Sequence, residues 1–276
     1  MEKKKNKFLS NKGFMIFAIL ALLIILSSVC APLICHGVDP AEGELGNAIM
    51  APSAEHPFGT DKMGRDIFAR VIYGSRTSLV STFSLVLTIF VVGTFLGILA
   101  GYFGGWVDAV IMRIADMMIA FPGLVLAIAV AGMLGASTKN AIIAISVVSW
   151  PKYARLARSL VMKIRHTDFV AAAQVTGSRT PYMLWKYMLP NTITTLVITA
   201  ATDIGSMMME LAALSFLGFG AQPPTPEWGS MLNEGRNFMQ SAPWMMIYPG
   251  LAIFITVVIF NMLGDNLRDI LDPKTE

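Results

Sequence analysis

The chain has 276 residues, of which 55% are hydrophobic and 14% charged, with a formal net charge of +3. A mean hydropathy of +0.62 is too apolar for an ordinary soluble domain and makes this a membrane protein. There is no Gly-x-x-x-x-Gly-Lys-Ser/Thr phosphate cradle, no soluble stretch large enough for a nucleotide-binding domain, and no triad or zinc spacing among the three histidines, so ATP hydrolysis and hydrolase chemistry are excluded.

A crossing of the hydrocarbon layer takes about 20 apolar residues. Six segments approach that length: 14–32, 79–102, 117–134, 140–157, 192–219 and 244–264. The predicted fold class is therefore an all-α membrane protein with six transmembrane helices. Four of the six lie in charge-free intervals. The segment 140–150 is short and must borrow 151–157, with Lys152 and Arg155 snorkelling to the interface, and the segment 192–219 carries Asp203 and Glu210. Cations set the orientation. Lys3, Lys4, Lys5, Lys7 and Lys12 before the first span, and Lys152, Arg155, Arg158, Lys163, Arg165, Arg179 and Lys186 around residues 168–190, place both regions in the cytoplasm. Residues 33–77 hold six acidic residues against Lys62, Arg65, Arg70 and Arg76 and are expected outside. An even number of spans returns the C-terminus to the cytoplasm. The first span has the basic start and small residues of a signal peptide, but five later spans need an anchored start, so it is expected to be retained. Residues 1–77 then form a tail, first span and external loop, and residues 78–276 the main transmembrane domain.

In the external loop, Cys30 and Cys35 are the only cysteines, either an external disulfide or two reduced thiols. Neither they nor His36 and His56 have ligand spacing, so no metal and no cofactor is expected. Residues 66–76 suit an amphipathic interfacial helix with Ile67, Phe68, Val71 and Ile72 toward the membrane and the arginines toward water. Gly93, Gly97 and Gly101 recur every four residues and make a smooth face, within the subunit or at a dimer contact. Arg113 and Asp116 can pair one turn apart. Phe121-Pro122 should kink the third span, as a gate or merely as structure.

Residues 168–191 read DFVAAAQVTGSRTPYMLWKYMLPN. Ala171, Ala172 and Ala173 favour a helix that stops at Gly177-Ser178. Thr180 suits an N-cap and Pro181 the first helical position of a second helix, which runs until Pro190 breaks it. Its apolar residues are Met183, Leu184, Tyr187 and Met188, and Arg179 and Lys186 are free for water or an acidic partner. A simple interfacial amphipathic element is the alternative. Asp203, Met207 and Glu210 then share one helix stripe. Carboxylates at membrane depth cost roughly 2.5–3.5 kcal/mol near a span centre, so they line a water-filled path or pair with Arg113 or another span. Met207, Met208 and Met209 can pass a soft cation or simply fill space. The Gly/Pro series from residue 217 leaves the membrane as an external loop, with Trp228 and Trp244 as interfacial anchors.

The segment 168–190 resembles the EAA loop of bacterial ABC importer permeases. Ala172, Ala173, Gly177, Leu189 and Pro190 match, whereas Ala171 stands in place of the family's acidic residue. Gly59-Thr60-Asp61, Gly64-Arg65-Asp66, Gly74-Ser75-Arg76, DMMIAFPGLVLA, ELAALSFLGFGAQPPTPEWGSML and PGLAIFITVVIFNMLGDNLRDILDPK resemble the C-type permease subunit of dipeptide, oligopeptide and nickel importers, over most of residues 58–274. The resemblance implies a type I ABC importer permease fold in the bacterial inner membrane and a non-catalytic subunit. Its implied partners are a second homologous permease, two ABC ATPase subunits docked on the five matching loop residues, an extracellular solute-binding protein and the lipid bilayer, with no nucleic acid. Asp203, Met207 and Glu210 are the pathway candidates. The short N-terminal tail, together with the stretch TDIGSMMMELAALSFLGFG, leans toward nickel or metal-chelate cargo over di- and oligopeptides. A proton- or ion-coupled secondary transporter titrating Asp203 and Glu210, and a non-transporting scaffold, are the rivals.

Overall fold

The computed structural model describes residues 11–271, so Lys3, Lys4, Lys5 and Lys7 lie outside the described residues. Helix α1 (Lys12–Val29) starts at Asn11, whose side chain accepts from the Phe14 N–H at 3.0 Å, and a short α2 (Ala31–Ile34) follows. After the loop come α3 (Ile67–Phe103), α4 (Gly105–Ile119), α5 (Gly123–Leu134) and α6 (Thr138–Ile164). The chain closes with α7 (Asp168–Val175), α8 (Thr180–Met183), a π segment (Leu184–Met188), α9 (Leu189–Phe216), α10 (Trp228–Gly235) and α11 (Trp244–Leu271).

By length and composition four helical runs can cross a membrane: Lys12–Val29, Ile67–Phe103, Thr180–Phe216 and Trp244–Leu271. The pair α4 and α5 makes a fifth if counted as one span, although it is bent by 94°. Helix α6 is 27 residues long but carries Lys139, Lys152, Arg155, Arg158 and Lys163. Contacts sort the helix ends into two groups. Arg76 reaches Val29 O at 3.4 Å and Trp244 Nε1 donates to Thr60 O at 3.2 Å, which gathers the end of α1, the start of α3 and the start of α11. At the other end Arg165 Nη1 donates to Gly101 O at 3.4 Å, and Gly13 packs against Asn266.

Three expectations are corrected here. There is no separate interfacial helix over 66–76: Asp66 caps α3 through the Ala69 N–H at 2.8 Å, and the helix then runs unbroken for 37 residues. Its arginine Arg70 faces protein, not water, as do Ile67 and Val71. The third span is not merely kinked, because Pro122, which has no N–H to continue α4, sits as the N-cap of α5. Trp228 is no membrane anchor: it is buried, and its Nε1 donates to Val71 O at 2.9 Å.

The glycine face of α3 packs within the chain, against α6. A Cβ on Gly93 would meet Tyr153 Cβ at 2.5 Å, and one on Gly101 would meet Arg158 O at 2.9 Å. Between them, a Cβ on Gly97 would run into the Ala154 carbonyl and meet the Ala157 methyl at 2.7 Å, and backbone cannot swing aside. Gly97→Leu is therefore expected to cost about 1–3 kcal/mol or more through overpacking. Thermal unfolding in detergent checks this, with Gly132→Ala, where an added Cβ is 3.7 Å from Phe219, as the variant that should keep the parent midpoint.

Candidate functional site: an exposed hairpin and a charge stripe at membrane depth

The hairpin between α6 and α9 begins with α7, whose first turn holds Asp168 near the positive end of the helix dipole. At its far end Gly177 has φ +82°, with its N–H donating to Gln174 O at 3.0 Å and the Ser178 N–H donating to Ala173 O at 3.1 Å. That pair of bonds is a Schellman stop, and open space beside Gly177 shows that the dihedral, not room, demands glycine. Helix α8 follows with Arg179, not Thr180, as N-cap and Pro181 in the first turn.

Pro190 does not break the second helix. The run continues as one from Thr180 to Phe216, 37 residues, because the wider π turn at Leu184–Met188 absorbs the missing proline N–H. Just beyond the π turn two side chains bond back to backbone carbonyls: Asn191 Nδ2 donates to Tyr187 O at 2.7 Å, and Thr192 Oγ1 to Met188 O at 3.0 Å. Val170, Ala173, Met183 and Met188 turn inward, whereas Val175 is 88% and Trp185 76% exposed. Of the motif residues, Ala172, Gly177 and Pro190 are exposed, Leu189 is half-buried and Ala173 is buried. Lys186 lies over the Tyr182 ring, 4.9 Å from its centroid.

The second feature lies midway along α6 and α9. Lys152 Nζ donates to both Asp203 oxygens, at 2.6 and 2.8 Å, and Tyr153 OH donates to Asp203 Oδ2 at 2.9 Å. Lys152 is thus held across to α9, and Asp203 pairs with α6, not with Arg113. The Asp203 side chain is 8% exposed and that of Lys152 57%. Met207 is 6% exposed and packs in the apolar core with Leu211 and Leu214, so the structure keeps Asp203 and Glu210 together but turns Met207 inward. Glu210 is half-buried and has neither hydrogen bond nor ion pair with any described residue. Asp116 pairs with Arg155 at 2.6 Å and Asp108 with Arg158, which ties α4 to α6.

The opposite end holds a buried ion network that local patterns did not reveal. Arg65 Nε donates to Asp61 Oδ2 at 2.6 Å, and its Nη2 to Glu234 Oε2 at 3.0 Å. Arg70, 1% exposed, donates from Nη2 to Glu234 at 2.9 Å. The motif glycine Gly64, at φ +76°, sits in the turn that lets Asp61 also accept from the Met63 and Arg65 N–H groups. Nearby, Glu227 caps α10 by accepting from the Gly229 and Ser230 N–H groups at 2.9 and 2.8 Å. Burial pushes its carboxyl up, and those N–H groups bring it only part of the way back. His56 pairs with Asp66 at 2.8 Å, and both thiols are free. Burial, then Asp66, pushes the Cys35 thiol up, away from reactive thiolate character.

Helices long and apolar enough to cross a membrane, an ion pair joining α6 to α9 and an exposed hairpin continuous with one of those helices define a multi-pass membrane subunit. Residues 93–276 match the family described as binding-protein-dependent transport system inner membrane component, and the chain belongs to it. The dipeptide transport system permease protein of Alkalihalophilus pseudofirmus is 46% identical over 275 residues, covering 98% of this chain and 87% of the relative. The glutathione transport system permease protein of Pectobacterium atrosepticum is 46% identical over 223 residues, 81% of this chain and 74% of the relative. Among solved structures, the inward-facing MetNI methionine ABC transporter matches in fold, with a TM-score of 0.59, 18% identity, 74% of this chain and 97% of that one. These relatives are named for peptides, so the lean toward nickel gains no support from them.

Proposed function

We propose that this chain is a permease subunit of an ATP-driven importer of short peptides, of dipeptide to glutathione size. The names of the relatives support the cargo class, and the exposed hairpin supports the coupling. In this reading the chain crosses six times, with α6 and the bent pair α4 and α5 among the crossings and both termini cytoplasmic. A second permease completes the pathway, two ATPase subunits dock on the hairpins and an external binding protein delivers the peptide.

The observation that carries the mechanism is the continuity of Thr180–Phe216. A displacement of the hairpin by a closing ATPase passes along that continuous run, through the π turn at Leu184–Met188, to Asp203 and Glu210. The chain transmits work and performs no chemistry of its own.

Gly177→Val tests this. A β-branched residue at φ +82° is strained by roughly 1–2 kcal/mol. ATP-dependent dipeptide uptake by vesicles holding the complete complex is expected to fall about tenfold, at the level of one lost 1.4 kcal/mol of coupling. Gly177→Asn, which tolerates the left-handed region, should keep most uptake. Unchanged uptake and ATPase association in Gly177→Val would remove the hairpin from the mechanism, and dipeptide uptake by the chain alone without ATP would favour the ion-coupled rival.

A further inference from the structure

We propose that Lys152 and Glu210 form a two-charge station for the termini of a short zwitterionic peptide, Lys152 meeting the carboxylate and Glu210 the ammonium, with Asp203 and Tyr153 as positioning residues. The inference rests on the peptide-import reading above and adds to it a place where cargo is met inside the membrane.

Three observations point there. The Lys152 side chain is 57% exposed near the middle of α6, where hydrocarbon would be a costly neighbour for an ammonium, so this face meets water or protein. An ammonium has three donors, and Asp203 takes two of them, leaving one for another acceptor. Asp203 is filled on its own side by Lys152 and Tyr153, so it holds the lysine and offers little to cargo.

Glu210 supplies the opposite charge. It is half-buried, has no hydrogen bond or ion pair with any described residue, and lies seven residues beyond Asp203 on the same helix, about 10 Å along the axis, within electrostatic reach of Asp203 and Lys152. An extended dipeptide spans roughly 7 Å, and flexible lysine and glutamate side chains take up the difference. Lys152, held on Asp203, and Glu210 farther along α9 offer a cation and an anion to a molecule charged oppositely at its two ends. A neutral solute would need neither.

Ser206 gives access to the site, being exposed and lying between Asp203 and Glu210 on their face of α9. The complete complex is prepared with Cys30→Ser, Cys35→Ser and Ser206→Cys, and modification by small cationic and anionic methanethiosulfonates is timed in nucleotide-free and ATP-bound states. The cationic reagent should react about tenfold faster, and Glu210→Gln should erase that preference. Millimolar dialanine should slow modification several-fold, whereas N-acetyl-dialanine amide should not, and either Glu210→Gln or Lys152→Met should abolish the protection. Glu210→Gln keeps the side-chain shape, so the test survives if Lys152→Met fails to assemble. No modification in either state would mean that the second permease or lipid covers this face, and equal protection by both peptides would mean that no charge is read. Each result overturns the station. ATP-dependent dialanine uptake, measured on the same vesicles, keeps the two proposals apart: uptake without protection sinks the station alone, and an assembled complex without uptake sinks the import reading.

Discussion

Arg70→Met is expected to destabilise the chain by about 3–5 kcal/mol, the cost of breaking a buried ion pair from one side. Arg70 is 1% exposed and donates to Glu234, to Pro40 O at 3.2 Å and to Pro224 O at 3.4 Å, and its Nε is 3.6 Å from Asp61. Without it, two buried carboxylates share Arg65 alone, and two backbone carbonyls lose their donor. Lysine should not rescue, since a single ammonium cannot reproduce the planar fork that reaches all four acceptors. The thermal midpoint in detergent should fall by on the order of 10 °C. Arg70→Met with Glu234→Gln should recover part of that loss, because the two sites are coupled. A midpoint within about 2 °C of the parent would show that the network adds nothing to stability.

Lys152→Met comes second in size. It leaves Asp203, with its side chain 8% exposed, facing only the Tyr153 hydroxyl, and the expected loss is about 3 kcal/mol, at the low end for a buried pair because the lysine side is more than half exposed. Asp203→Asn should cost less, about 1–2 kcal/mol, because the amide is neutral and the lysine it releases is already more than half exposed. The double variant Lys152→Met/Asp203→Asn should therefore be more stable than Lys152→Met alone, a sign that charge compensation and not packing sets the order. The same double variant should be unable to import a dipeptide, although it folds. Midpoints that simply add would refute the pairing, and normal uptake by the double variant would leave the lysine without a role in transport.

What was legible in the sequence was what neighbours along the chain decide. The apolar runs of α1, α3 and α11 stand out from their charge-free intervals, and Gly177 announces its own dihedral. The glycine face of α3 was visible too, since a four-residue repeat is a helical surface whatever packs on it. Distant partners were not legible. Arg65 and Arg70 look water-facing until Glu234, 169 and 164 residues away, arrives beside them. Lys152 looks like an interfacial residue until Asp203, 51 residues on, accepts its hydrogen bonds. Pro190 departs from the breaker expectation for another reason: that rule assumes α pitch on both sides, and the π turn changes the pitch just ahead of the proline.

The unbroken run of α3 has one further implication. Arg70, near its start, is tied to the loops and α10, and Gly93 to Gly101, near its finish, are tied to α6. On one rigid screw, adding or deleting a single residue between those anchorages would turn one attachment by about 100° against the other. The two ends of the molecule are therefore indexed to each other like teeth on a common shaft, and the number of residues separating them is as constrained as their identity.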